Sequence, residues 1–152
     1  MMYDDYDYWR NVVPPGAPDE NDKALFKSLI KGNTVLLLGS TKILLDLATD
    51  AYDLCPKWDD PKIQDRDWLS VDTHYDTIIG CGPFNFTKEL TEALFPILKR
   101  NCNRLILRTF YNPQWKLKYA KHFPEPSEFD PIPTVYADNG HHRFFVWDFI
   151  DG

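Results

Sequence analysis

An unbroken apolar run, TVLLLG at residues 34–39, limits the fold of this sequence more than any other feature. Its residues favour β-structure and do not alternate with polar ones, so a strand formed here must be buried on both faces. Strands of this kind belong to parallel sheets with helices on each side. The glycine that ends the run marks the turn by which the chain leaves the strand.

Other segments predict the remaining strands of the sheet. The segment YDTIIGCG at 75–82 contains a strand at residues 77–79 that ends in a Gly-Cys-Gly turn, and RLILRTF at 104–110 predicts another strand. Two short strands are predicted at 51–54 and 62–64. Near the C terminus, VYADNGHHRFFVWDF predicts two strands around an Asp-Asn-Gly turn, which is typical of an antiparallel hairpin.

Helical periodicity appears between these strands. Helices are predicted at residues 20–30, 41–49, 88–100 and 113–121. The apolar residues of the first helix are Ala24, Leu25, Leu29 and Ile30. The third helix has Thr87 as its cap and an apolar stripe of Leu90, Ala93, Leu94, Ile97 and Leu98.

Alternating strands and helices predict an α/β protein. The expected architecture is a Rossmann-like, mostly parallel sheet with helices on both faces and a C-terminal antiparallel hairpin. A length of 152 residues with 43% hydrophobic residues fits a single domain over residues 1–152, with residues 1–19 as an N-terminal arm.

Charge and composition restrict the partners. The formal net charge is −6, and the 17 Lys and Arg residues are dispersed, so a nucleic-acid partner is disfavoured. No apolar run approaches the roughly 18 to 20 residues that span a bilayer, so no membrane partner is expected. The three widely spaced cysteines Cys55, Cys81 and Cys102 favour reduced thiols and a cytoplasmic location.

Candidate site residues follow the predicted strands, because ligands of open α/β sheets bind beyond the carboxyl ends of the strands. At the first strand, Gly39 permits close approach of a ligand to the backbone, and the free N–H groups of the next helix favour a carboxylate. After the second strand, Asp53 can accept hydrogen bonds from both hydroxyls of a ribose, and its neighbour Leu54 can lie against a base. After the third strand, Asp67 can accept from an amine of the base and Trp68 can pack against its ring. The candidates are Gly39, Ser40, Thr41, Asp53, Leu54, Asp67, Trp68, Gly80, Cys81 and Gly82, with Asn85 and Tyr111 as substrate-facing candidates.

Five segments of the sequence occur in an order that resembles class I S-adenosylmethionine-dependent methyltransferases. These segments are LLLGST at 36–41, AYDLCP at 51–56, RDWLSV at 66–71, YDTIIGCGPFNF at 75–86 and LILRTF at 105–110. The resemblance implies S-adenosylmethionine as cofactor. It places the 39–41 turn near the methionine part, Asp53 near the ribose, Asp67 and Trp68 around adenine, and the 80–82 turn near the sulfonium. An aromatic arm that includes Tyr8 and Trp9 would cover the cofactor, or would cover exposed core.

Two departures from this family shape the functional alternatives. Only Gly39 remains of the usual glycine-rich turn, and the gap to Asp53 is shorter than the roughly 20 residues typical of such units, so a short first helix is expected. The leading interpretation is a methyltransferase acting on a small molecule or an exposed side chain, as a homo-oligomer or with a partner protein. The alternatives are a cofactor-binding protein without transfer activity and an enzyme that cleaves the cofactor.

No metal site and no covalent nucleophile are expected. The adjacent His141 and His142 point to opposite faces of a strand, so a single metal ion could not readily bind both side chains. Cys81 lies between two glycines without a nearby histidine in the sequence, which favours a small buried residue over a nucleophile.

Overall fold

A computed structural model describes residues 17–56, 58–111 and 120–149. A seven-stranded sheet organises this part of the chain, in the order β3-β2-β1-β4-β5-β7-β6. Its strands are β1 (Val35–Leu38), β2 (Asp50–Tyr52), β3 (Ile63–Gln64), β4 (Tyr75–Cys81), β5 (Cys102–Phe110), β6 (Thr134–Tyr136) and β7 (His142–Asp148). Strands β1 to β5 are parallel, and β7 runs antiparallel to both β5 and β6. The predicted mostly parallel sheet and C-terminal hairpin are confirmed.

Both faces of the sheet are buried, as the apolar run of β1 predicted. Leu36 and Leu38 pack into one core and Val35 and Leu37 into the other, because successive side chains of a strand point to opposite faces. All four side chains are at most 4% exposed.

Helix α1 (Glu20–Leu29) covers one face of the sheet. A capping box begins it, in which Oδ1 of Asp19 accepts from the Asp22 N–H and Oδ2 of Asp22 accepts from the Asp19 N–H. Phe26 is the residue that α1 buries fully, whereas Ala24, which we predicted to be on the apolar face, is exposed. The helix is confirmed, and its orientation is set by the larger apolar area of the phenylalanine.

Helix α2 (Lys88–Arg100) covers the opposite face. The Thr87 hydroxyl accepts from the Leu90 N–H at 3.0 Å, as predicted for its cap. Leu90, Leu94 and Leu98 are buried, and Ala93 is exposed at the edge of the predicted stripe. The two helices therefore complete the three-layer arrangement.

The connection from β1 to β2 is short. Residues Lys42–Leu47 form a 3₁₀ helix where the sequence predicted a short helix at 41–49. Pro83–Asn85, Trp68–Ser70 and Pro126–Glu128 are 3₁₀ turns as well. Most of the helix predicted at 113–121 lies outside the described residues, and Ala120 and Lys121 are not helical. No helix within the described ranges is long and apolar enough to cross a membrane.

Sheet order places the candidate site. Strand β1 lies between β2 and β4. The chain therefore passes from β1 to β2 towards one edge of the sheet and from β4 to β5 towards the other edge. A crevice beyond the carboxyl ends of the strands forms at such a switch in strand order. We therefore expect a ligand site at the loops after β1, β2 and β4.

Candidate functional site

Two hydrogen bonds join the loop after β1 to the end of β2. The Gly39 N–H donates to the Tyr52 carbonyl at 2.8 Å, and the Ser40 hydroxyl donates to Oδ2 of Asp53 at 2.5 Å. Ser40 is buried, and its low-dielectric surroundings strengthen this bond. Gly39, Ser40 and Asp53 are therefore neighbours at one edge of the sheet.

The Asp53 carboxylate is oriented by the protein and keeps capacity for a ligand. Its Oδ1 accepts from the Cys55 N–H at 2.8 Å, and its Oδ2 accepts from Ser40. A carboxylate offers about four lone-pair positions, so two remain for other donors. The side chain is partly exposed, so hydroxyl groups of a ligand can reach it.

The backbone at Gly39 is open to close approach. Its φ is +109°, which side-chain-bearing residues rarely adopt, and a Cβ added there would meet no atom within 4 Å. The neighbouring Thr41 begins the 3₁₀ helix without a side-chain cap. Because that helix has only six residues, it lacks the aligned peptide dipoles of the helix N-terminus that we expected to favour a carboxylate.

Trp68 brings a third loop to the same point. Its indole N–H donates at 2.9 Å to the Tyr52 carbonyl, the oxygen that also accepts from Gly39. The indole ring packs edge-on against Phe86 with the ring centroids 5.8 Å apart. Asp67 caps the 3₁₀ turn by accepting from the Leu69 N–H. We call Gly39, Tyr52, Asp53 and Trp68 the Tyr52 junction.

Leu54 follows the Tyr52 junction along the chain. It is partly buried and packs against the core on the α2 face.

The turn at the end of β4 is more closely packed than predicted. A Cβ added at Gly80 would lie 3.2 Å from the Leu38 Cβ and 3.3 Å from Leu107 Cδ2, so this glycine accommodates neighbouring side chains. Gly82 has φ +75°, and its N–H donates to the Arg108 carbonyl at 2.8 Å. Burial raises the pKa of the Cys81 thiol to about 11, so the thiol stays protonated at neutral pH.

The two substrate-facing candidates have different environments. Asn85 is fully buried, its amide donates to the Phe110 and His122 carbonyls, and its side-chain oxygen accepts from the Phe110 N–H. Asn85 therefore has a structural role, and its side chain has no surface exposed to a ligand. Tyr111 is partly exposed at the end of β5, where its hydroxyl donates to Asp138 and the Arg143 guanidinium lies 4.2 Å from the ring centroid.

Tyr8 and Trp9 lie outside the described residues, and their role as a cover for the cofactor stays a prediction.

A charged cluster near the end of β5 was not predicted. Nη1 of Arg108, a side chain 2% exposed, donates to Oδ2 of Asp22 at 2.8 Å, and His142 Nε2 lies 3.5 Å from Oδ1 of the same carboxylate. The signal for it in the sequence is Arg108, which directly follows the apolar residues 105–107 of the strand, since a buried guanidinium requires a partner. From the sequence, His142 stands out only as the neighbour of His141, a pair for which no metal site is expected. Within the described ranges, no three His, Cys, Asp or Glu side chains are grouped so as to hold a metal ion.

Comparison with known proteins gives fold-level matches. No protein-family model and no curated protein sequence matches the chain. Among solved structures, magnesium protoporphyrin IX methyltransferase from Synechocystis PCC 6803 with bound S-adenosylmethionine is similar with a TM-score of 0.60 at 15% identity, over 95% of this chain and 91% of that one.

Two other solved structures have similar agreement. The complex of DhpI with S-adenosylhomocysteine has a TM-score of 0.65 at 14% identity, over 95% of this chain and 91% of that one. The 16S rRNA N2 G1207 methyltransferase of T. thermophilus, solved with S-adenosylmethionine and guanosine, has a TM-score of 0.62 at 14% identity, over 90% of this chain and 41% of that one. The chain therefore has the fold of class I S-adenosylmethionine-dependent methyltransferases.

Proposed function

We propose that this protein is an S-adenosylmethionine-dependent methyltransferase whose cofactor binds at the carboxyl edge of β1, β2 and β4. The Tyr52 junction is the observation that supports this most directly. One carbonyl receives N–H groups from Gly39 and Trp68, which belong to different loops, and Asp53 lies next to it. Solved structures of the same fold contain S-adenosylmethionine or S-adenosylhomocysteine.

The residues at this edge fit the chemical groups of the cofactor. The open backbone at Gly39, with Ser40 and Thr41, would accept the methionine part. The oriented Asp53 carboxylate would accept the two ribose hydroxyls, and Leu54 and Trp68 supply apolar and aromatic surface for the adenine ring. Asp67 would accept from the adenine amine.

Three further assignments belong to the same proposal. The 80–82 turn would line the sulfonium side, with Gly80 and Gly82 shaping the backbone and Cys81 as a neutral thiol. Tyr8 and Trp9 would close over the cofactor. The bound cofactor supplies an electrophilic methyl group, and the protein contributes mainly orientation and exclusion of water.

Replacing Gly39 with alanine tests the cofactor position. We expect binding of S-adenosylmethionine to weaken by about tenfold or more, roughly 1.4 kcal/mol, because the methyl group would project into the space that the ligand needs. Gly140→Ala is a matched control, since Gly140 also has positive φ and open space around an added Cβ. Both variants should lose stability to backbone strain, of the order of 1 to 3 kcal/mol. Equal affinity in the two variants would place the cofactor elsewhere.

The acceptor proposed is a small molecule or an exposed side chain rather than a nucleic acid. The net charge of −6 supports this preference, because a phosphate backbone would be repelled on average. The free cysteines at 55, 81 and 102 support a cytoplasmic location, and assembly as a homo-oligomer or with a partner protein fits the proposal.

The short β1–β2 connection favours a second candidate, a protein that binds the cofactor without transferring the methyl group. Incubation with methyl-labelled S-adenosylmethionine and a metabolite pool distinguishes the alternatives. A labelled product supports methyl transfer, whereas saturable binding with no product supports the binding protein. Loss of the cofactor with no acceptor present would support a cofactor-cleaving enzyme.

A further inference from the structure

Arg66 joins the turn that carries Asp67 and Trp68 to the side chain of Tyr52. Its Nη1 donates to the Tyr52 hydroxyl at 2.7 Å, and the guanidinium carbon lies 4.5 Å from the centroid of the Tyr52 ring. Its Nη2 donates to the Ser70 carbonyl at 2.8 Å, and its Nε donates to the Ser70 hydroxyl at 3.3 Å. A single guanidinium therefore links strand β2 to the far end of the turn.

The same turn is fixed at two further points. The Arg66 N–H donates to the Gln64 carbonyl at 2.9 Å, which anchors the start of the turn to the end of β3. In the middle of the turn, the Trp68 indole N–H donates to the Tyr52 carbonyl at 2.9 Å. Tyr52 therefore holds the turn twice, directly through its carbonyl and through Arg66 by its hydroxyl.

The Tyr52 hydroxyl is a rigid anchor for Arg66. Tyr52 is 1% exposed, and its hydroxyl is hydrogen-bonded to that of Tyr75, which donates to Oδ2 of Asp50 at 2.8 Å. A phenol hydroxyl has one proton, so Tyr52 donates to Tyr75 and accepts from Arg66. The result is a chain of hydrogen bonds from a cation to an anion, in which each bond strengthens the next.

The surroundings of Arg66 indicate a clamp rather than a surface charge. Its contact with Asp72 is 3.4 Å long, and the Asp72 side chain is 75% exposed, so this ion pair contributes little. The shorter bonds go to the neutral oxygens of Tyr52 and Ser70. A guanidinium presents donors in two directions at once, whereas the ammonium of a lysine is a single point charge.

Resting on the proposed function, we propose that Arg66 is a positioning residue that acts through Asp67 and Trp68 to set the preference of the cofactor site for adenine. The exocyclic amine of adenine would donate to the Asp67 carboxylate. A base with a carbonyl oxygen at that place has no proton to donate there. Discrimination of this kind requires a fixed carboxylate, and a turn that moves would lose the bond to the amine while the ring contact persists.

The dissociation constants of S-inosylhomocysteine and S-adenosylhomocysteine, compared as a ratio, test this role. The two compounds differ in the base, where a carbonyl oxygen replaces the amine. We expect wild-type protein to prefer S-adenosylhomocysteine by about tenfold or more, and Arg66→Ala to reduce this preference by about fivefold or more. A lower folded fraction weakens both ligands equally, so a purely structural role leaves the ratio unchanged.

Variants of the partners separate the clamp from the charge. Tyr52→Phe removes the hydroxyl that Arg66 contacts and keeps the ring, so it should reduce the preference in the same direction. The double variant should lose no more than Arg66→Ala alone, because both changes break the same hydrogen bond. Asp72→Asn is the matched control, since it alters the exposed partner of the same guanidinium and should leave the ratio unchanged. Tyr52→Phe also decides the question if Arg66→Ala does not fold.

The outcomes separate this inference from the proposed function. An unchanged ratio in both Arg66→Ala and Tyr52→Phe would overturn the positioning role and leave the proposed function standing. Equal affinity of the wild-type protein for the two compounds would do the same, because no base preference would then exist. Failure of the wild-type protein to bind S-adenosylhomocysteine would instead contradict the proposed function, and this inference with it.

Discussion

Asp53→Ala is expected to weaken binding of S-adenosylmethionine by about 1 to 3 kcal/mol, roughly 5- to 150-fold in Kd. The variant removes the only acidic side chain of the Tyr52 junction, and with it the charge-assisted hydrogen bonds to the ribose hydroxyls. It also leaves the buried Ser40 hydroxyl without the acceptor that it contacts at 2.5 Å. Isothermal titration at one pH and one ionic strength measures the change.

Asp59→Ala is the control for this prediction. Asp59 lies in the same β2–β3 connection, is exposed, and should leave cofactor affinity unchanged. Ser40→Ala separates orientation from contact, because it removes one of the two bonds that fix the Asp53 carboxylate. If Asp53→Ala binds as tightly as Asp59→Ala, then Asp53 does not bind the ribose.

Asn85→Ala is expected to lower the free energy of unfolding by about 3 kcal/mol or more. Three backbone groups, the Phe110 N–H and the Phe110 and His122 carbonyls, lose their partner within the protein. Each buried group left unsatisfied costs about 1 to 3 kcal/mol. Urea denaturation, followed by circular dichroism, measures the loss.

Asn103→Ala provides the matched comparison. Asn103 is an exposed residue of β5 that contacts His74 at 3.0 Å, and its removal should change stability by no more than about 0.5 kcal/mol. A variant at Asn85 with full stability but reduced methyl transfer would restore the acceptor-facing role that the sequence suggested for this residue.

The strands could be predicted from sequence because their burial is simple. The apolar runs at β1, β4 and β5 have no polar face, so only the interior of a parallel sheet can accommodate them. Even the two short strands β2 and β3 were found at the predicted places, since each precedes acidic or turn residues. The Asp-Asn-Gly turn likewise predicted the hairpin of β6 and β7.

Helix details depended on tertiary packing that periodicity does not describe. Ala24 and Phe26 are both apolar, but only Phe26 has enough area to decide which face of α1 is buried. The connection at 41–49 contains apolar residues at helical spacing, yet it forms a 3₁₀ helix over Lys42–Leu47 and no α-helix.

The candidate site could be predicted only in part, because sequence position gives the edge of the sheet but not the direction of a side chain. Gly39, Asp53 and Trp68 were found together because each follows or adjoins a parallel strand. Gly80 and Asn85 follow the same rule, but one glycine accommodates side chains and the asparagine turns inward to bond the backbone. Asp22 and Arg108 are 86 positions apart, so no local pattern could join them.

Titration of the 152-residue chain with S-adenosylmethionine and S-adenosylhomocysteine in a calorimeter is the most direct test of the central claim. We predict saturable binding of one ligand per chain for both compounds, with much weaker binding of ATP, which has the adenosine part but lacks the methionine part. No saturable heat with either compound would contradict the claim that the loops at the Tyr52 junction form a cofactor site.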